Sequence, residues 1–433
     1  MQVVDWQALD DGARRAVLAR APSAANEAVV KQAQTIIQSV RRDGDAALRA
    51  LARQFDGIEL GALQVTDAEF AQAQAQVSAA AVAAMRTAIE NVRSFHRAQL
   101  PAALSLETQP GVRCERIWRP LRSVGLYVPA GSAPLPSTAI MLAAPALIAG
   151  CAQRVLCTPA RADGGADAGV LAAARLCGID TVYKVGGAQA IAAMAYGTQT
   201  IPKVAKIFGP GNRWVTAAKQ LVAADADGAA IDLPAGPSEV CVIADESADA
   251  DHVAADLLAQ AEHDRQAQAI LVTDCAALAQ RVRASVAARA PLLARQAILA
   301  ESIERIRLIV VGDLGAAVEV AEQYAPEHLL LQIRNPRAVL ERIGSAGSVF
   351  IGPWSPEPLG DYCSGTNHVL PTYGHARACS GLSVTDFMRS MTVQELSADG
   401  LRALGPVAVT LARLEGLDAH AAAVEARLAV LAA

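Results

Sequence analysis

The sequence has no apolar run long enough to cross a bilayer, no bank of basic residues, no C-x-x-C pair and no G-x-G-x-x-G. Each absence excludes something. The most apolar stretch, TAIMLAAPALIAGCA, falls short of the roughly 18 residues a spanning helix needs and contains Pro145, so membrane insertion is not expected. A net charge of −5, with the basic residues scattered, leaves no footprint for nucleic acid. The opening MQVVDWQALDDG lacks the basic and apolar regions of a secretory signal. Eight cysteines at 114, 151, 157, 177, 241, 275, 363 and 379 show no disulfide-type spacing, which fits reduced thiols in a cytoplasm and small core residues. Without G-x-G-x-x-G, no single loop declares a dinucleotide site.

What is present is a globular chain of 433 residues, 53% hydrophobic and 19% charged, long enough for two or three domains. Residues 1–110 read as helical, from apolar residues at three- and four-residue steps punctuated by Gly44 and Gly57. Short apolar runs then alternate with Ala-rich helical windows. RSVGLYV, RVLCTP, TVYKVG and AKIFG read as strands of a first α/β lobe over 111–237. SEVCVIAD, AILVTD, RIRLIVVG, HLLLQI and SVFIG read as strands of a second lobe over 238–380. Residues 381–433 read as a helical tail, again helical from about 385. The expected architecture is α/β: two doubly wound, incomplete Rossmann-like lobes with helical extensions at both ends. In such sheets ligands sit beyond the carboxyl ends of the strands, which directs attention to the loops there.

Five stretches stand out. YVPAG, Tyr127 to Gly131, holds an open backbone before a helix that Ser137 or Thr138 can cap. VGGAQA and FGPGNRW each run from strand through glycines into a helix, a geometry that offers free N–H groups to an anion and equally serves as an ordinary turn. In LLAQAEHD, Val253, Ala254, Leu257, Leu258 and Ala261 form a core stripe, and Gln260 and His263 project together from its flank; a plain polar helix end is the alternative. PEPLGDYCSGTNHVLPT sets Asp361 in a Gly-bounded loop at the end of a strand, where an Asx-turn or helix cap is the plain reading, with His368 and His375 nearby. In the tail, EGLDAHA brings Glu415 and His420 onto one helix or its entry turn, where a solvated face is the simpler reading. Besides these, YAPEHLLLQI sets Glu327 directly before His328 at the mouth of a strand, in a chain with seven histidines.

Taken in order, YVPAG, VGGAQAIAA, FGPGNRWV, DLPAGPSEV, LLAQAEHD, APEHL, GDYCSGTNHVLPT and EGLDAHA resemble the histidinol dehydrogenase family, from about residue 20 to the C-terminus. The resemblance implies a four-electron oxidation of L-histidinol to L-histidine through histidinaldehyde, using two NAD and one water, as the last step of histidine biosynthesis. It implies Zn2+ held by Gln260, His263, Asp361 and His420, NAD contacts at Tyr127, Gln189 and Asn212, and catalytic Glu327 and His328. It implies substrate contacts at Ser238 and Glu415, joined by His328 and the metal ligands, and a homodimer whose tails serve the partner's site. After His263 many relatives carry Gly-Pro or Asp-Pro; this chain has Asp264-Arg265, which affects loop shape and not a ligand.

The chemistry of these residue types is consistent with that reading. A thiolate-free donor set of nitrogens and oxygens suits an ion that accepts further donors from substrate and so positions it. An imidazole of ordinary pKa ~6.5 suits removal of an alcohol proton near neutrality. Glu327 then suits activation of the water that hydrates the aldehyde, because only the hydrate has a second hydride to lose. Four alternatives stay open: direct metal polarisation of the alkoxide, a thiohemiacetal on Cys114 or Cys151, another zinc-dependent NAD alcohol or aldehyde dehydrogenase for a small amino alcohol, and a two-lobed binding protein that captures an amine.

Overall fold

In the computed structural model, residues 1–20, 27–130, 133–233 and 236–432 are described; Gly131, Pro234 and Ala235 of the motifs above lie outside them. Fourteen strands occur among these residues. They are β1 (Gln2–Asp5), β2 (Leu104–Gln109), β3 (Val112–Pro120), β4 (Ser123–Tyr127), β5 (Gln153–Cys157), β6 (Val182–Tyr183) and β7 (Lys206–Phe208). The rest are β8 (Ala230–Ile231), β9 (Glu239–Ala244), β10 (Gln268–Thr273), β11 (Arg307–Val310), β12 (His328–Gln332), β13 (Ser348–Ile351) and β14 (Met388–Leu396).

Two parallel sheets carry the molecule, one with the order β6-β5-β4-β7-β8 and one with β1-β11-β10-β9-β12-β13. In each lobe the first strand of the unit, β4 or β9, is central. The next strands add on one side and the following ones on the other, the doubly wound arrangement with a topological switch point, between β4 and β7 in one lobe and β9 and β12 in the other. The apolar runs form strands because both faces are covered. Along β9, Val240, Val242 and Ala244 face one core and Cys241 and Ile243 the other. The stretch around Pro145 is the helix Pro136–Ala149, enclosed between lobe elements, and no described helix is long and apolar enough to cross a membrane.

Three local readings are corrected. β1 lies within the N-terminal segment read as helical, yet it extends the second lobe's sheet by pairing with β11. The same segment ends in β2, and the tail read as helical from about 385 begins with β14. β14 pairs antiparallel with β3, and β3 with β2, in a separate three-stranded sheet. Ser137 and Thr138 do not cap the helix Pro136–Ala149; Pro136 takes its first turn, a position where the missing N–H costs nothing.

Candidate functional site

The two lobes face each other across a cleft of about 1490 Å³. The first lobe contributes the carboxyl ends of its strands. Tyr127 ends β4, Gly186, Gly187 and Gln189 follow β6, and Asn212 follows β7; all line the cleft. Asn212 caps the helix Arg213–Ala224, its side-chain oxygen accepting from the N–H groups of Trp214 and Val215, each at 3.1 Å. The Tyr127 hydroxyl accepts from the Gly187 N–H at 3.0 Å. Gly209 lies at φ +117°, and a Cβ there would stand 2.1 Å from the Tyr127 carbonyl oxygen, so only glycine lets β7 and β4 approach this closely. A buried ion pair holds this turn: Asp232 accepts from the Gly209 N–H, while Lys219 pairs with Asp232 and donates to the Gly209 carbonyl at 2.9 Å.

The second lobe contributes the opposite end. Glu239 and His328 are the first residues of β9 and β12, so the expectation that chemistry sits at carboxyl ends fails here. The reason is chain direction. The helix Ala250–Ala261 starts beyond the carboxyl end of β9 and runs back, so Gln260 and His263 at its far end arrive at the amino edge. Asp361 comes the same way after β13; it lies in a short helix, Glu357–Tyr362, and not in a loop. At the carboxyl edge the same switch point is plugged by Asp245, which accepts from the N–H groups of Arg334 and Ser247, each at 2.9 Å.

Glu327 and His328 are buried, and both are bonded to the backbone of one residue, Glu239. The Glu239 N–H donates to Glu327 Oε2 at 2.8 Å, and His328 Nδ1–H donates to the Glu239 carbonyl at 3.0 Å. That bond leaves His328 Nε2 directed at Asp361 Oδ1, 3.5 Å away. Burial pushes the Glu327 carboxyl up to about 8 against the attraction of His328. Burial disfavours a charged His328, but Glu327, Glu357 and Asp361 outweigh it and hold its proton well above the ordinary range. Asp361 is held down to about 2: burial opposes its charge, and the neighbouring His328, with the nearby His368 and His263, overcomes that.

Donor atoms of His263, Glu357 and Asp361 lie within 4.8 Å of one another. Beside them Gln260 is fully buried, with both amide atoms lacking hydrogen-bond partners, as is Glu357 Oε2. Buried polar atoms left this way mark a place for a ligand. Sequence reasoning missed Glu357, although it stands four residues before Asp361 and so shares its helix face. It also left His368 unassigned. That ring is fixed by donation to the Asp361 carbonyl at 2.9 Å and contact with Thr138 Oγ1 at 3.2 Å, and it lines the cleft. Ser238 lines the cleft as well. Glu415 and His420 do not: they are exposed on the tail, Glu415 closing one helix and His420 within the helix Asp418–Ala432. No cysteine lines the cleft among the described residues, and burial pushes Cys151 up to about 11, which disfavours a thiolate there.

Two Rossmann-type lobes, with glycine turns on one wall and an acid–imidazole pair beside clustered nitrogen and oxygen donors on the other, define an oxidoreductase of the two-lobed α/β kind. Comparison with known proteins narrows this. The histidinol dehydrogenase family model matches residues 19–428. Histidinol dehydrogenase of Vibrio vulnificus (strain YJ016) is 49% identical over 433 residues, covering 100% of both chains. That of Xanthomonas axonopodis pv. citri (strain 306) is 51% identical over 432 residues, again covering 100% of both. The crystal structure of histidinol dehydrogenase from Elizabethkingia anophelis superposes with a TM-score of 0.96 at 41% identity, over 100% of this chain and 99% of that one. The chain belongs to the histidinol dehydrogenase family.

Proposed function

We propose that this protein oxidises L-histidinol to L-histidine through histidinaldehyde, in the cytoplasm, as the closing step of histidine biosynthesis. The observation that carries the reading is Glu327 and His328 bonded to the backbone of one residue, Glu239, and facing a cluster of metal-type donors, in a chain of this family. NAD, held against Tyr127, Gln189 and Asn212, supplies the acceptor for both hydrides. The N-terminal end of the helix beginning at Gly187, which no side chain of Gly186 caps, suits its phosphates.

Gln260, His263 and Asp361 fit Zn2+, since the buried Gln260 amide oxygen has no other partner and His263, kept neutral by desolvation, offers a lone pair. Held there, the ion would supply a Lewis-acidic anchor for the substrate. His420 completes the set from a partner's tail, with Glu415 beside it. Exposed Leu411, Leu414 and Leu417 on the tail, and exposed Trp354, Leu359 and Tyr362 near Asp361, support burial of both surfaces in a homodimer.

His328 takes the alcohol proton in the first oxidation at Nε2, because Nδ1 is committed to the Glu239 carbonyl. A cation held by Asp361 would offset part of the attraction that raises the His328 pKa, in which Glu327 is the largest contributor. Glu327, a strong base for a carboxylate because of its burial, takes a proton from the water that adds to the aldehyde. Ser238 and His368 line the space between and orient the substrate. The test is the count of NADH formed per histidinol by zinc-loaded protein. Two supports the full oxidation, one means the aldehyde escapes, and none overturns the reading.

A further inference from the structure

Glu239 carries a buried carboxylate that the chemistry above does not use. Its side chain is gripped by Arg20: Arg20 Nε donates to Oε1 at 2.5 Å and Nη2 to Oε2 at 2.8 Å, a two-pronged pairing. The same guanidinium lies over the Tyr324 ring, 3.9 Å from its centre, and donates to the Tyr324 carbonyl at 2.7 Å. Oε1 also accepts from the Tyr373 N–H at 3.0 Å. Thus an arginine from the start of the chain ties together β9, the turn that delivers Glu327 and the segment after His368.

A second observation points the same way. Among the described residues, Ala325 (φ 52°) and Tyr373 (φ 54°) are the two non-glycine residues in the left-handed region. Both belong to this knot. Ala325 immediately precedes Pro326-Glu327 and its carbonyl accepts from Arg20 at 3.4 Å, while the Tyr373 N–H binds Glu239. Such conformations cost about 1–3 kcal/mol each and persist only where surrounding contacts enforce them.

We propose that Glu239, locked through its carboxylate by Arg20, is a positioning residue for both bases: its peptide N–H aims Glu327 and its carbonyl aims His328. The buried ion pair is kept because it fixes the two peptide groups that flank the Glu239 Cα, and the strained backbone at Ala325 and Tyr373 is held by the same pair. Arginine is required, since lysine carries the charge without the fork or the flat face for Tyr324.

The proposal rests on the reading of Glu327 and His328 as the two bases, and the test separates the two. Zinc-loaded wild type, Arg20→Lys, Arg20→Ala, Glu239→Gln, His328→Asn and Glu327→Gln are compared by steady-state kinetics and by single turnover from histidinol and from histidinaldehyde. Arg20→Lys and Glu239→Gln are expected to lose about tenfold to hundredfold in kcat, the scale of a misplaced catalytic group. The loss falls on both half-reactions, with KM for histidinol and NAD changed less than about threefold, as expected when transition-state contacts alone are lost. Millimolar guanidinium restores part of the kcat of Arg20→Ala, which a general loss of stability does not allow. Should Arg20→Ala fail to fold, Arg20→Lys carries the test. Folded Arg20→Lys and Glu239→Gln that keep kcat within about twofold, or lose only in KM, overturn the proposal. Inert His328→Asn and Glu327→Gln beside such unaffected variants sink it alone, whereas full activity in those two sinks the underlying reading.

Discussion

The two lobes share one strand order and present opposite ends to the same cleft. In the first lobe the cleft meets the carboxyl ends of β4, β6 and β7, where helices begin. In the second it meets the amino ends of β9 and β12, where helices finish: Ala250–Ala261 ends beside Gln260 and His263, Leu314–Tyr324 just before Glu327, and Glu357–Tyr362 at Asp361. The helix dipole gives these walls opposite character. Helix starts, with unpaired N–H groups, attract anions; helix ends, with unpaired carbonyls, favour cations. A phosphate-bearing cofactor and a cationic centre can therefore meet in one cleft without competing for one wall, and a cation at the second edge would offset the carboxylates gathered there.

The largest effect expected from this division lies at the second wall. His328→Asn and Glu327→Gln should each lower kcat by ~10² to 10⁴-fold, the usual worth of a general base. His328→Asn mainly slows alcohol oxidation and Glu327→Gln mainly slows aldehyde oxidation, which single-turnover absorbance at the NADH band resolves. Equal loss of both half-reactions in both variants means the two bases do not divide the work.

Next comes metal retention. Gln260→Ala removes an amide whose two polar atoms are buried without partners, and it should weaken zinc binding by ~10- to 100-fold, the range seen when groups around a metal are lost. Competition against a chromophoric chelator measures it. NAD affinity should not change, because Gln260 belongs to the second wall. Unaltered zinc binding would falsify the assignment of Gln260.

At the first wall the expected change is smaller and of another kind. Gly209→Ala places a Cβ on the Tyr127 carbonyl at a backbone angle alanine resists. It should destabilise the protein by about 1–3 kcal/mol. The turn must shift, so KM for NAD should rise by roughly tenfold, with zinc content unchanged. Thermal unfolding and NAD titration check it; a variant that loses zinc but binds NAD normally would reverse the roles given to the walls.

Much of this was legible in the sequence, and the exceptions have physical causes. Buried strands such as β9 and β12 announce themselves as apolar runs because both faces are covered. The end of the sheet that chemistry uses is not written in those runs, since it depends on how two lobes pack. β2 and β14 escaped because their side chains are mostly exposed and their partners are distant: Met388 pairs with Pro120. Such a ladder leaves no alternation to read. The donor residues were visible as types and spacings, and Glu357 was visible at four residues from Asp361 had that spacing been followed. Glu239 was not, because the contacts it makes to Glu327 and His328 use its backbone N–H and carbonyl, which nearly every residue has.

The gentlest probe is the proton balance of the second wall. Burial pushes Asp256, on the helix that delivers Gln260, up to about 7, and its charge also raises the Glu357 carboxyl. The folded state holds this proton more tightly than the unfolded chain, whose carboxyl titrates near ~3.9. Below pH ~4 both states are protonated and the group contributes nothing. As pH rises from there to about 7, the unfolded chain ionises freely while the folded one resists, so stability falls, and above that it is level. Asp256→Asn should remove the slope, leaving stability unchanged at acid pH and raised by on the order of 4 kcal/mol at pH ~8, as read from urea midpoints. A cation at the neighbouring donors offsets the same buried charge, so the slope of the unmodified protein should be steeper after zinc removal than before. A steeper slope in the loaded protein would mean that the second wall is not a place where positive charge is welcome, and the contrast between the lobes would fail at its simplest point.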